Sequence, residues 1–274
     1  MQLTDVHTHS TFSADGRSPL SGMITRAAEL GVAWYGVSEH FDYDYLADGV
    51  LAEGKAVPMI DADAYFTEAR RLQKAYAGSM RVLVGGEFGY TGNPRAHALY
   101  AQTIARFRPD FVVNSVHTVN GKDAWYGEYF AGKTRGKAYR DYLEKVLESL
   151  DAPYRYDIVA HIGYVSRCAP YADNLLRYRD FPDLFDAILS GIVARNKILE
   201  VNSSARGAGD FLPGRDILER YFALGGREVS FASDAHEAGD ILRGRTLIAN
   251  TLKEIGFAGV TVPDRGRHIL VPID

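Results

Sequence analysis

Short apolar runs alternate with amphipathic stretches along the whole chain, and this alternation restricts the possible folds more than any other feature. Strand-like runs fall at 3–7, 33–38, 81–86, 111–115, 157–160, 197–201 and 228–232, with helix-like stretches between them. The helices are expected over about 18–30, 61–76, 94–106, 137–150, 184–195, 216–224 and 240–255, and 267–271 forms a last short strand. Ser18 reads as the cap of the first helix, Pro19 as its first helical residue and Gly31 as its stop. Seven successive βα units imply a parallel sheet, and this count favours a closed barrel over an open doubly wound sheet. No Gly-x-Gly-x-x-Gly turn follows the first run, which argues against a dinucleotide fold. Composition does not break anywhere, so one domain over 1–274 is expected. Two long connections stand out. The polar stretch 42–56 reads as a loop, and 118–136, rich in glycine and aromatics, reads as a lid or part of a binding site.

The bulk numbers exclude several classes. A net charge of −4 offers no basic field for long nucleic acids or for a membrane surface. No apolar run approaches the roughly 20 residues that a membrane span needs. One cysteine, Cys168, rules out an internal disulfide and suits a reducing compartment. The first strand starts almost at the initiator methionine, so no signal peptide is expected and the anticipated setting is cytoplasmic.

The chemistry-bearing residues fall at particular places. His7, His9, His40, Glu87, His117, His161, Asp234 and His236 each lie at or just past the C-terminal end of an expected strand. In a parallel barrel those ends converge on one face, where active sites lie. Only His97 and His268, of the eight histidines, fall elsewhere, and both read as ordinary structural histidines. Nitrogen and carboxylate donors without thiolate suit Zn, Mn or Fe. Their number exceeds what one tetrahedral ion takes, so two or three divalent ions with a bridging carboxylate are expected, an arrangement suited to phosphoryl transfer.

Taken in order, His7-Thr8-His9, Ser38-Glu39-His40, Glu87 with His117, and Asp234-Ala235-His236 resemble the polymerase and histidinol phosphatase (PHP) family over nearly the whole chain. Asn114-Ser115-Val116-His117, Ala160-His161-Ile162-Gly163 and Glu200-Val201-Asn202 are most similar to its histidinol-phosphate phosphatase branch. The resemblance implies an α/β fold, a distorted seven-stranded (β/α) barrel with a trinuclear site. By that likeness one ion takes His7, His9, Glu87 and Asp234, and a second shares Glu87 and adds His117 and His161. A third takes His40, His236 and Asp15, at a position where many relatives carry histidine; a carboxylate there shifts the preference toward Mn or Fe. The implied substrate is a small phosphate monoester, foremost histidinol phosphate, attacked by a hydroxide bridging two ions. Glu87, Asp234 and His236 are the expected catalytic residues, with His236 or a water protonating the leaving oxygen. Arg167 and Arg206, past the fifth and sixth strands, are candidates for holding phosphate charge. The alternative within the family is a phosphatase or 5′ exonuclease acting on nucleotides or nucleic-acid ends.

Several weaker signals compete. Asp61-Ala62-Asp63 mimics the Asp-x-Asp of haloacid-dehalogenase phosphatases, but its place before a helix indicates capping. Cys168 lacks the arginine that a cysteine-phosphatase loop needs, since Asn174 stands there. Lys133, Arg135, Lys137 and Arg140 form either a solvated face or a rim attracting an anionic substrate. An amidohydrolase would also build His-x-His sites on a barrel, but no strand here ends in a bridging lysine.

Overall fold

A computed structural model of the chain describes residues 2–207 and 209–273. Seven parallel strands pair in sequence order: β1 (Leu3–Asp5), β2 (Val32–Val37), β3 (Arg81–Gly89), β4 (Phe111–Ser115), β5 (Ile158–Val159), β6 (Ile198–Asn202) and β7 (Val229–Ala232). Just beyond the strand ends, the first and last come together. Asp234 N–H donates to His7 O (3.0 Å), His9 N–H to Ala235 O (2.8 Å), and Thr8 bridges Ala235 in parallel. The result is a nearly closed barrel, as the sevenfold alternation leads one to expect.

A helix follows each strand on the outside: α1 (Leu20–Glu29), α2 (Ala62–Ala75), α3 (Pro94–Phe107), α4 (Arg135–Ser149), α5 (Pro182–Ala194), α6 (Arg215–Ala223) and α7 (Arg245–Ile255). Asp61 caps α2 by accepting from Ala64 N–H at 3.0 Å, and Asp63 pairs with Arg106 at 2.6 Å, so the Asp-x-Asp segment is structural. Among the described residues no helix is long and apolar enough to cross a membrane.

Glycines at the barrel wall make room for the ring that fills it. A Cβ on Gly85 would lie 2.5 Å from the Phe111 ring, and one on Gly36 would lie 2.9 Å from it. Phe111 is fully buried. The bulk of that ring is thus matched by two missing side chains on β2 and β3.

The structure corrects several sequence expectations. Pro19 occupies the cap position of α1 in extended conformation, while the Ser18 hydroxyl accepts from Ala238 N–H (3.1 Å) behind β7 instead of capping. The helix expected from 240 starts at Arg245, because Leu242 (φ 63°) and Gly244 (φ 71°) adopt left-handed backbone. Glu87 lies within β3, which runs past the expected end at 86. The stretch 42–56 holds a short helix, Tyr43–Asp48, and a hairpin, Leu51–Ala52 with Lys55–Ala56. The stretch 118–136 holds a hairpin, Thr118–Val119 with Lys122–Asp123, and a short helix, Gly127–Phe130. The last strand is half of an antiparallel hairpin, Gly259–Asp264 with Arg267–Pro272. Alternation in 259–264 is interrupted by Pro263, which hid that strand from the sequence reading.

This hairpin is fastened to the barrel opposite the strand C-termini. Arg265 Nε donates to Asp110 at 2.7 Å, and Arg81 reaches Asp264 at 3.0 Å. Asp110 is buried just before β4 and also accepts from Arg70 (2.6 Å), Gln73 (2.7 Å) and Val84 N–H (2.9 Å). Burial pushes its carboxyl up, but Val84 N–H, Arg265 and Arg70 outweigh that and hold it below the usual aspartate range. A folded value below the unfolded one gives stability that is present above about pH 4 and lost as pH falls through the folded value. Asp110→Asn should therefore cost about 2–4 kcal/mol at neutral pH in urea unfolding and flatten the loss of stability on acidification. An unchanged acid limb would mean the carboxylate contributes nothing there.

Candidate metal centre

The strand ends deliver the expected residues to one pocket. Glu87 is its hub. Its Oε2 lies 3.2 Å from His7 Nε2, 3.5 Å from His9 Nε2 and 2.8 Å from His40 Nδ1. Its Oε1 lies 3.2 Å from His117 Nε2 and 2.8 Å from His161 Nε2. The register of the barrel explains this: His40 pairs laterally with Glu87, and Glu87 with Val113 on β4. Asp234 Oδ1 is 3.4 Å from His9 Nε2 and 3.9 Å from His7 Nε2. Asp15 Oδ2 is 3.1 Å from His236 Nε2, and its Oδ1 is 3.7 Å from His40 Nε2. His161 (φ 23°) and Asp234 (φ 54°) both hold left-handed backbone, a conformation that turns their side chains into the site at some cost.

The three sets expected from the sequence each come together, and they overlap. His9 stacks between His40 (4.2 Å) and His236 (4.3 Å), so the first and third sets share a wall. Donor atoms of His9, His40 and His236 lie within 4.8 Å of one another, as do those of His7, His9 and Glu87, and of Glu87, His117 and His161. A fourth group, His40, Asp42 and His117, has the same closeness, and Asp42 is absent from the sequence-based sets.

The residues fit a cation site on their own chemistry. His7 Nε2, His9 Nε2, His40 Nδ1, His236 Nε2 and Glu87 Oε2 are buried without a hydrogen-bond partner. Buried polar atoms are rarely left so, and five of them facing one another is the arrangement that shared divalent ions satisfy. Tautomers agree. His236 Nδ1–H donates to Asp234 O (2.9 Å), since a carbonyl only accepts, which leaves the Nε2 lone pair facing the pocket. His7 Nδ1–H donates to Glu200 Oε2 at 2.6 Å with the same effect.

Charge within the cluster is strongly coupled. Burial, with His40 and His236 alongside, lowers His9 to about 3, so it is a neutral donor at pH 7. Burial lowers His7 as well, but Glu200 and Glu87 outweigh it and push that imidazole up. Glu87 and Asp234 would be raised by burial, yet His7 and His40 around the one and Arg167 and His9 beside the other hold them far down. Carboxylates held ionised in this way meet little competition from protons for a divalent cation.

Supporting contacts were only partly legible. Glu200 lies on β6 two residues before Asn202, so both face the barrel interior; besides His7, Glu200 accepts from His161 N–H (3.1 Å) and Asn202 Nδ2 (2.8 Å). An acid at an inward strand position was the available signal. Ser115 Oγ donates to Glu87 Oε1. Ser13 Oγ donates to Glu39 (2.6 Å) and accepts from His40 N–H (3.0 Å).

The two arginines differ. Arg167 is buried, not a solvated loop charge; its Nη2 donates to Asn202 Oδ1 (3.0 Å) and Asp234 Oδ2 (2.9 Å), while its Nε has no partner. Arg206 is exposed, with its guanidinium over Trp125 at 4.8 Å. That ring faces Tyr164 (6.2 Å), which packs against His117 (5.0 Å). The basic run is no substrate rim. Lys133 and Lys137 pair with Asp141, Arg135 with Asp180, and Arg140 lies over Phe181. His97 is satisfied by Thr91 O, and His268 lies 3.5 Å from Glu228.

Comparison with known proteins agrees with this geometry. The family model described as PHP domain matches residues 5–204. A "probable histidinol-phosphatase" of Clostridium acetobutylicum is 28% identical over 235 residues, covering 85% of this chain and 86% of that protein. The histidinol-phosphatase of Lactococcus lactis is 27% identical over 265 residues, covering 94% and 93%. The crystal structure of histidinol phosphate phosphatase from Lactococcus lactis, complexed with zinc, L-histidinol and phosphate, shares the fold. Its TM-score is 0.81 at 24% identity, with 98% of this chain and 99% of that one covered.

Because Glu200 fixes the orientation of His7, Glu200→Gln should weaken the tightest-bound divalent ion about 10- to 100-fold in a chelator-competition titration, with thermal unfolding of the metal-free protein little changed. Unaltered affinity would show that the contact does not set the ring.

Proposed function

This chain belongs to the PHP domain family, and on that premise we propose that it is a metal-dependent phosphatase hydrolysing L-histidinol phosphate to L-histidinol and inorganic phosphate. One observation carries the reading. A buried carboxylate oxygen, Glu87 Oε2, has three imidazole nitrogens within 3.5 Å and accepts no hydrogen bond from any of them. The names of the two curated relatives and the ligands of the Lactococcus structure support the choice of substrate.

The first ion would be held by His7, His9, Glu87 and Asp234, the second by Glu87, His117 and His161, and the third by His40, His236 and Asp15. Two or three divalent ions, Zn, Mn or Fe, supply an activated water and neutralise charge on the phosphoryl oxygens when bound. Glu87, with one oxygen facing His7 and the other facing His161, would be shared between the first two of these sets. Arg167, locked onto Asp234, has a free Nε–H and holds a phosphate oxygen. Arg206 approaches from the Trp125 side and closes over the same group. The ester P–O bond breaks, water provides the oxygen that joins phosphorus, and the proton that water gives up goes to the departing alkoxide, which leaves as the alcohol. Trp125 and Tyr164 wall the pocket beside His117 and limit access of bulk water.

Phosphate release from L-histidinol phosphate, compared with nucleoside monophosphates and short oligonucleotides, tests this reading. The first should give the highest kcat/KM, and a higher value on nucleotides would overturn the substrate assignment. Exhaustive chelation should abolish turnover, and added Mn or Zn should restore it. His9→Ala and Asp234→Ala should each lower kcat by at least about 10²–10³-fold while leaving the far-UV circular dichroism intact. A near-normal kcat in metal-defined buffer would remove those residues from the first ion.

A further inference from the structure

Asp42 stands beside the cluster without a role in it. It follows the two-residue strand His40–Phe41, in which Phe41 turns toward the helix layer and packs near Tyr65 (6.2 Å) and Phe66 (6.0 Å) of α2. Alternation then places His40 and Asp42 on the inner side, with Asp42 one step farther toward the mouth. Its carboxylate lies with His40 and His117 in a group whose atoms are all within 4.8 Å. Both histidines touch Glu87, so Asp42 is one side chain away from the hub.

What Asp42 lacks is as informative. It precedes the Tyr43–Asp48 helix, yet its side chain makes no capping hydrogen bond. Burial raises its carboxyl above the usual aspartate range, with His40 and His117 pulling it back. Asp15, the other carboxylate at the mouth, is engaged by His236 and His40. Asp42 is therefore a half-buried carboxylate at the rim with free acceptor capacity.

L-Histidinol phosphate is likewise polar end to end. Its phosphate is anionic, and a primary ammonium sits on the carbon next to the one bearing the ester oxygen. With the phosphate held by Arg167 and the donor cluster, that ammonium would lie only a few bonds away, within reach of a carboxylate at the rim. We propose that Asp42 is the specificity-determining residue that binds the substrate's ammonium group, selecting cationic phosphate monoesters over neutral or anionic ones. This rests on the phosphatase reading above and narrows its substrate class.

The test uses the metal-loaded full chain and measures binding separately from turnover. Calorimetric Kd values for L-histidinol and for inorganic phosphate are compared between the unaltered protein, Asp42→Asn and Asp42→Glu, together with metal content by elemental analysis. Loss of a charged hydrogen bond should weaken L-histidinol about 10- to 100-fold in Asp42→Asn, with phosphate affinity and metal content retained. The kcat/KM ratio for L-histidinol phosphate over p-nitrophenyl phosphate, which has no amine, should fall by a similar factor, mainly through KM. Asp42→Glu keeps the charge and should recover much of the L-histidinol affinity. Loss of bound metal in Asp42→Asn would make Asp42 a cation donor, and an equal loss on both esters would make it part of phosphoryl transfer. Either result overturns the inference. If the unaltered protein cleaves p-nitrophenyl phosphate but neither binds L-histidinol nor cleaves its phosphate, the parent reading fails first, and this one falls with it.

Discussion

The structure depends on keeping Glu87 buried and charged inside a ring of imidazoles. A carboxylate in a dry interior is costly unless opposite charge surrounds it. Here His7, His40 and His117, which Glu87 helps to hold above the usual histidine range, supply that charge from three different strand ends. Every strand that contributes must hold its register, since a slip of one residue would turn a histidine into the helix layer and leave the carboxylate unbalanced. The barrel is thus more than a scaffold beneath the site. The electrostatics of the pocket require the closed sheet, and the closed sheet brings the electrostatics about.

A second layer keeps the donors from drifting. Glu200 holds His7, Ser115 holds Glu87, Ser13 fixes the backbone of His40, and Arg167 clamps Asp234 to Asn202. Ser115, Glu200 and Asn202 sit on strands, while Ser13 and Arg167 come from the connections just past β1 and β5, so the donor atoms are braced from both sides. The left-handed backbone at His161 and Asp234 is the local strain that this aiming requires.

Much of this could be read from the amino acids, and the reason is geometric. Strand-end histidines announce themselves because period-two runs stop at them and because a parallel sheet sends all such ends one way. His7, His40, His117, His161 and His236 were legible on that ground alone. Glu200 was marked only as part of a segment shared with the family, without a role, and Asp42 not at all. The first is embedded in an apolar strand, where only its inward position marks it, and the second lies where an apolar run gives way to a polar loop, so a turn residue was the natural reading. The roles of the basic residues at 133–140 depended on partners such as Asp180 and Phe181, some forty residues away, which no local pattern reveals. The strand at 259–264 was lost for a similar reason, since its partner lies in the tail and its proline breaks the alternation.

The seam between His7 and Asp234 joins strands that lie far apart in the sequence. On the ribosome, His7 and His9 emerge long before Asp234, the carboxylate that completes their pocket. Until then the pocket is only half assembled, and its closure is a late, long-range event of the kind that makes folding slow.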